Sequence, residues 1–101
     1  MRLVFEKCLT GLARWARRRL ELLGVRVEVC RYTADFQIER YIRDLAKREA
    51  VLLVTPDNDF WHLEREGLAV ILNQPIKYEK ALTRILKAVH RARAMSKPAR
   101  V

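Results

Sequence analysis

Apolar and polar positions along this chain switch repeatedly between a period of about two and a period of about 3.6, the marks of strand and helix. Arg2 to Phe5 is a short apolar run that predicts a first strand. After Thr10 and Gly11, the residues Leu12, Trp15, Ala16, Leu20 and Leu23 recur at helical spacing, with Arg14, Arg17, Arg18 and Arg19 on the other faces. Gly24 closes that helix. Val25, Val27 and Val29 then alternate with Arg26 and Glu28, which predicts a second strand. Ile38, Tyr41, Ile42, Leu45 and Ala46 form the apolar face of a second helix, with Thr33 or Asp35 as its N-cap.

Val51 to Val54 is apolar without interruption, as expected of a strand covered on both faces. A short helix from Asp59 to about Glu66 should stop at Gly67, and Leu68 to Leu72 reads as a fourth strand. Gln74-Pro75 predicts a turn. Lys77 to about Ala94 is a long basic amphipathic helix, with Leu82, Ile85, Leu86 and Val89 on one face. Residues 95–101 are expected to be a flexible basic tail. Strand and helix alternate throughout, so the fold class is α/β, with a mostly parallel sheet and helices on both faces. Right-handed crossovers then place every strand-to-helix loop on one edge.

With 101 residues, half of them hydrophobic, the chain is expected to be one domain with a modest core. No run approaches the ~18 apolar residues of a membrane span, and Glu6 interrupts the region where a secretory signal would need its apolar stretch. These features predict a soluble, cytoplasmic protein with no membrane partner. The formal net charge is +9, and residues 77–101 hold eight Lys/Arg against one acid, Glu79. A basic segment on a nearly neutral body points to a polyanion, most simply nucleic acid; a salt-tolerant solvated surface is the alternative. Cys8 and Cys30 lack metal or redox spacing and read as free, buried thiols.

Thr55-Pro56-Asp57-Asn58-Asp59-Phe60, directly after the buried strand, changes the picture most. Ligands of open α/β sheets bind at the carboxyl ends of the strands. Glu6 follows the first strand, Asp35 and Glu39 open the second helix, and Asp57 and Asp59 follow the third strand. All five acids are therefore expected on one edge. Gathered carboxylates repel one another unless a cation neutralises them, and oxygen ligands of this kind suit Mg²⁺ or Mn²⁺. Such an ion would polarise a phosphodiester and lower the pKa of an attacking water. Each acid also has a plainer role open to it. Asp35 can be an N-cap, Glu39 a surface residue, Glu6 an ion-pair partner of Lys7 or Arg31, and Asp57 and Asp59 caps of the short helix.

Three segments together resemble the PIN-like nuclease superfamily, especially its small stand-alone members and the RNase module at the C-terminus of the Mut-seven exonucleases. Leu9-Thr10-Gly11-Leu12-Ala13-Arg14-Trp15, running to Leu22-Leu23-Gly24-Val25, is similar to the family's first helix. Ile42 to Ala46 resembles the apolar end of its second helix, and Val51 to Phe60 its strand and acidic loop. The resemblance implies a three-layer α/β/α sandwich over residues 1–94, with a four-stranded sheet in order 3-2-1-4. It implies catalytic acids at Glu6, Glu39, Asp57 and Asp59, metal ligands at Glu6, Asp35, Glu39, Asp57 and Asp59, and a supporting hydroxyl at Thr55. Glu39 matches the family's helix acid when counted back from Ala46, with Asp35 as its substitute.

The activity implied is Mg²⁺- or Mn²⁺-dependent cleavage of RNA, which includes the toxins of toxin–antitoxin pairs. Arg14, Arg17, Arg18, Lys77 and Lys80 are the candidate RNA contacts. An antitoxin protein and a second copy of the chain are candidate partners. The chain departs from the family pattern where Glu6 stands in place of an aspartate, and where Pro56 stands in place of a basic residue. Glu6, with Lys7 beside it as a competitor for the cation's place, favours the alternative, a degenerate module that binds RNA or a partner protein without cleaving.

Overall fold

In a computed structural model of the chain, residues 1–96 are described, with side chains through Ala94. The elements follow the expected order: β1 (Arg2–Phe5), α1 (Thr10–Leu22), β2 (Arg26–Val29), α2 (Asp35–Ala46), β3 (Val51–Thr55), α3 (Trp61–Arg65), β4 (Ala69–Ile71) and α4 (Tyr78–Ser96). Single 3₁₀ turns at Lys7–Leu9 and Asn58–Phe60 precede α1 and α3. The Gln74–Pro75 turn holds a cis peptide bond. α4 continues through Ser96, so residues 95 and 96 belong to the helix and not to a tail; the rest of the expected tail, residues 97–101, lies outside the described residues.

The four strands form one parallel sheet in the order β2-β1-β3-β4. The order 3-2-1-4 is therefore corrected: β1 lies between β2 and β3, and β2 is an edge. The reason lies in the side chains. All five β3 residues are buried, whereas β2 exposes Arg26 and half-exposes Glu28. A strand with charged alternates cannot be covered on both faces, so it belongs at the rim. Glu28 is instead satisfied there by the Arg2 guanidinium, at 2.9 Å, and by the Tyr41 hydroxyl.

Both faces of the sheet are apolar and each is covered by two helices. Leu3, Phe5, Leu52, Val54 and Val70 pack under α1 and α4, through Leu12, Ala16, Leu20, Ala81 and Ile85. Val4, Val51, Leu53 and Ala69 pack on the other side under α2 and α3, through Ile38, Ile42, Leu45, Phe60 and Leu63. The result is a three-layer α/β/α sandwich. Gly24 and Gly67, both at φ 78°, end α1 and α3. In each case the glycine amide and the next amide turn back onto the helix: Val25 donates to the Leu20 carbonyl and Leu68 to the Leu63 carbonyl, both in the Schellman pattern. No helix among the described residues is long and apolar enough to cross a membrane.

Candidate metal-binding edge

The strand order reverses direction between β1 and β3. In an open parallel sheet, the crevice outside the carboxyl ends of such a pair is where a ligand finds room. Glu6 leaves β1 at that point, and beside it Thr55 ends β3 and Asp57 follows in the loop. The Glu6 amide donates to the Val54 carbonyl at 2.9 Å, which extends the β1–β3 pairing up to the acids.

Thr55 is fully buried, and it is the one buried polar side chain of the described core. Its hydroxyl donates to Glu6 Oε1 at 3.0 Å and accepts from the Asp57 amide at 3.0 Å. A hydroxyl can do both at once; a carboxylate or an ammonium cannot. Asp57 in turn accepts the Asp59 amide on Oδ1 at 2.8 Å, which caps the 3₁₀ turn. One short chain of hydrogen bonds thus ties Glu6 to the loop that carries both aspartates.

Asp35, Asp57 and Asp59 each place a carboxylate oxygen within 4.8 Å of the others. Asp35 reaches them because it does not cap its helix. The N-cap of α2 is Ala34, and no side chain caps there, so neither Thr33 nor Asp35 takes that expected role. Partial burial, with the charges of Asp57 and Asp59, holds the Asp35 carboxyl above its ordinary range. Among the described residues, no Lys, Arg or His forms an ion pair with any of the three. Oxygen-only donors at this spacing fit a hard divalent cation such as Mg²⁺ or Mn²⁺.

Glu39 is not brought into this group. Its Oε1 meets His62 Nε2 at 2.6 Å and its Oε2 accepts from Arg43 Nε at 3.0 Å. Arg43 also grips Glu66 through two parallel bonds of 2.9 and 2.8 Å. Hydrogen bonds from His62 first, then from Arg43, hold the Glu39 carboxyl below its ordinary range. Of the two acids expected from α2, it is therefore Asp35, one helical turn earlier, and not Glu39, that the fold groups with Asp57 and Asp59. The Glu39–Arg43 spacing of four residues was open to reading, but the approach of His62 from α3 was not.

Glu6 stands beside the triad rather than in it. It forms no ion pair with Lys7 or Arg31; its second oxygen, Oε2, accepts from Cys8 Sγ at 3.2 Å. Burial and the adjoining Glu6 carboxylate push the Cys8 thiol up to about 11, so the sulfur stays protonated and weakly nucleophilic at neutral pH. Both cysteines are free, but Cys8 is exposed rather than buried. Arg14, Arg17 and Arg18 lie on the exposed side of α1, and Lys77 and Lys80 are exposed where the chain enters α4. Phe36 and Trp61, neither singled out by the sequence pattern, are also exposed close in sequence to cluster acids, 72% and 55% accessible.

Comparison with protein-family models, with curated proteins and with solved structures returns no match for this chain.

Proposed function

We propose that this chain is a divalent-metal-dependent ribonuclease of the PIN-like type. The observation that carries this reading is the convergence of Asp35, Asp57 and Asp59 at the sheet's switch crevice, with no cationic side chain among the described residues paired to them. Three like charges held together cost stability, and an ion shared among them removes that cost. Asp35, Asp57 and Asp59 would hold Mg²⁺ or Mn²⁺. When bound, such an ion supplies polarisation of the phosphodiester and a lowered pKa for the attacking water.

The remaining work falls to the chain. Thr55 fixes the direction of Asp57 by holding its amide. Glu6, kept beside the triad by the Thr55 hydroxyl, would take a proton from the water. Exposed cations at Arg14, Arg17, Arg18, Lys77 and Lys80 attract the phosphate backbone.

A second reading, a module that binds without cleaving, is favoured by one observation: Glu39 and Glu6 have their oxygens engaged by neighbouring groups, leaving three aspartates. An end-labelled single-stranded RNA incubated with Mn²⁺ separates the two. Cleavage that requires Mn²⁺ and disappears in Asp57→Asn supports the nuclease. Intact RNA under the same conditions rejects it.

A further inference from the structure

The two helical layers carry very different charge. α1 has four arginines and α4 has five Lys/Arg, against two acids, Glu21 and Glu79. α2 and α3 together have three basic and four acidic residues. The α1/α4 layer is thus strongly positive while the opposite layer is near neutral.

On α4 the charge is ordered as well as abundant. Lys80, Arg84, Lys87 and Arg91 recur at intervals of four, three and four residues, which aligns them along one side of the helix. At a rise of ~1.5 Å per residue the row is about 16 Å long. All four are exposed, and among the described residues none of them forms an ion pair. Three members of the row, Arg84, Lys87 and Arg91, line a cleft of about 500 Å³ beside the edge strand β4. Leu52, Ala69 and Val70 contribute apolar surface to it, and Arg65 joins its wall from the end of α3. Its one acid, Glu64, is turned towards β4, where its Oε2 accepts the Ile71 amide at 3.0 Å. Four cations therefore surround one cleft against a single carboxylate.

The chemistry of the lining selects among polyanions. Protein partners are held by buried aromatic or aliphatic anchors, and Lys is depleted at the centres of their interfaces. This cleft has no aromatic residue in its wall and its rim is Lys and Arg, so it offers charge to a phosphate backbone rather than an anchor pocket or a stacking platform. A single row of cations along one helix face is matched by the one phosphate backbone of a single strand. The row also has a direction. Arg91 and Gly67 lie together towards the amino ends of the strands, and Tyr78, at the start of α4, lies with Cys8 and Leu9 at the carboxyl edge.

We infer that the cleft between α4 and the open side of β4 binds the sugar–phosphate backbone of a single-stranded nucleic acid through Arg65, Arg84, Lys87 and Arg91, and leads it past Lys80 towards the acidic edge. That the polymer is RNA rests on the nuclease reading; the cationic cleft does not.

The test is fluorescence anisotropy of a labelled single-stranded RNA with the full chain in EDTA, read across KCl concentrations. The variant is Arg84→Gln/Lys87→Gln/Arg91→Gln. Its control, Arg26→Gln/Arg40→Gln/Arg48→Gln, removes the same charge from exposed positions elsewhere. Losing three phosphate contacts should flatten the slope of log K against log salt by about 2 and weaken binding about 100-fold near 0.1 M salt. The control should move the slope by less than about 1. Arg84→Lys/Arg91→Lys, which keeps the charge, should retain the wild-type slope.

Equal losses in the α4 variant and the control would overturn the inference, as would an unchanged α4 variant. Competition by poly-glutamate as strong as that by RNA, or tighter binding of duplex than of single strand, would also overturn it. Binding is read without metal, so a chain that binds along α4 but never cleaves rejects the nuclease and leaves this site standing. A chain that cleaves with Mn²⁺ but is indifferent to the α4 variant does the reverse.

Discussion

Glu6 and Thr55, 49 residues apart in sequence, meet at 3.0 Å, and the Thr55 hydroxyl that donates to the glutamate also accepts the Asp57 amide. A buried hydroxyl with both capacities used cannot be replaced by a methyl group without leaving partners unmet. Thr55→Val keeps the shape and should destabilise the fold by about 1–3 kcal/mol. Urea denaturation should show a lower midpoint at unchanged m-value, and Thr55→Ser should lose less. A valine variant as stable as wild type would mean the hydroxyl links nothing of consequence.

Asp35 answers to the opposite sign. Its carboxyl is held above the ordinary range by burial and by Asp57 and Asp59. The folded chain then binds the proton more tightly than the unfolded chain, so this group lowers stability as pH rises from the ordinary carboxylate range through the raised value. Asp35→Asn should therefore raise the melting temperature at pH 7 without metal. The gain should stay below about 1 kcal/mol, since the side chain is exposed and screened. At pH 3 the difference should vanish. Saturating Mn²⁺ should reverse it, because only the wild type gains full stabilisation from binding.

Glu39 should behave as a structural ion-pair residue. Its carboxyl is held below the ordinary range by His62 and Arg43, so its contribution is present above that range and is lost as pH falls through the lowered value. Glu39→Gln is expected to cost about 1 kcal/mol at pH 7, with the gap to wild type closing in acid. Calorimetry at the two pH values checks this. The same variant should keep Mn²⁺ binding, which a ligand at this position would not allow.

Much of the fold was open to reading because single elements announced themselves. Gly24 and Gly67 marked helix ends, and the unbroken Val51 to Val54 run marked a strand buried on both sides. The strand order was misjudged although the signal was present: Arg26 and Glu28 make β2 unfit for a central place. The acids divided by another rule. Asp57 and Asp59 could be placed from sequence because a strand fixes where its own loop emerges. Whether Asp35 or Glu39 would join them depended on tertiary neighbours: on Ala34 taking the N-cap, and on His62, 23 residues beyond Glu39, claiming its oxygen. The bond from Cys8 to Glu6 is likewise a product of the 3₁₀ turn after β1, which no periodicity marks.

Titration of the chain with Mn²⁺, followed by electron paramagnetic resonance of the free ion, tests most directly whether the three aspartates form a metal centre. Wild type and Glu39→Gln should each take up the ion with the same affinity, whereas Asp57→Asn and Asp59→Asn should lose at least tenfold. Uptake that is absent in wild type, or that survives in both aspartate variants while failing in Glu39→Gln, would contradict the assignment.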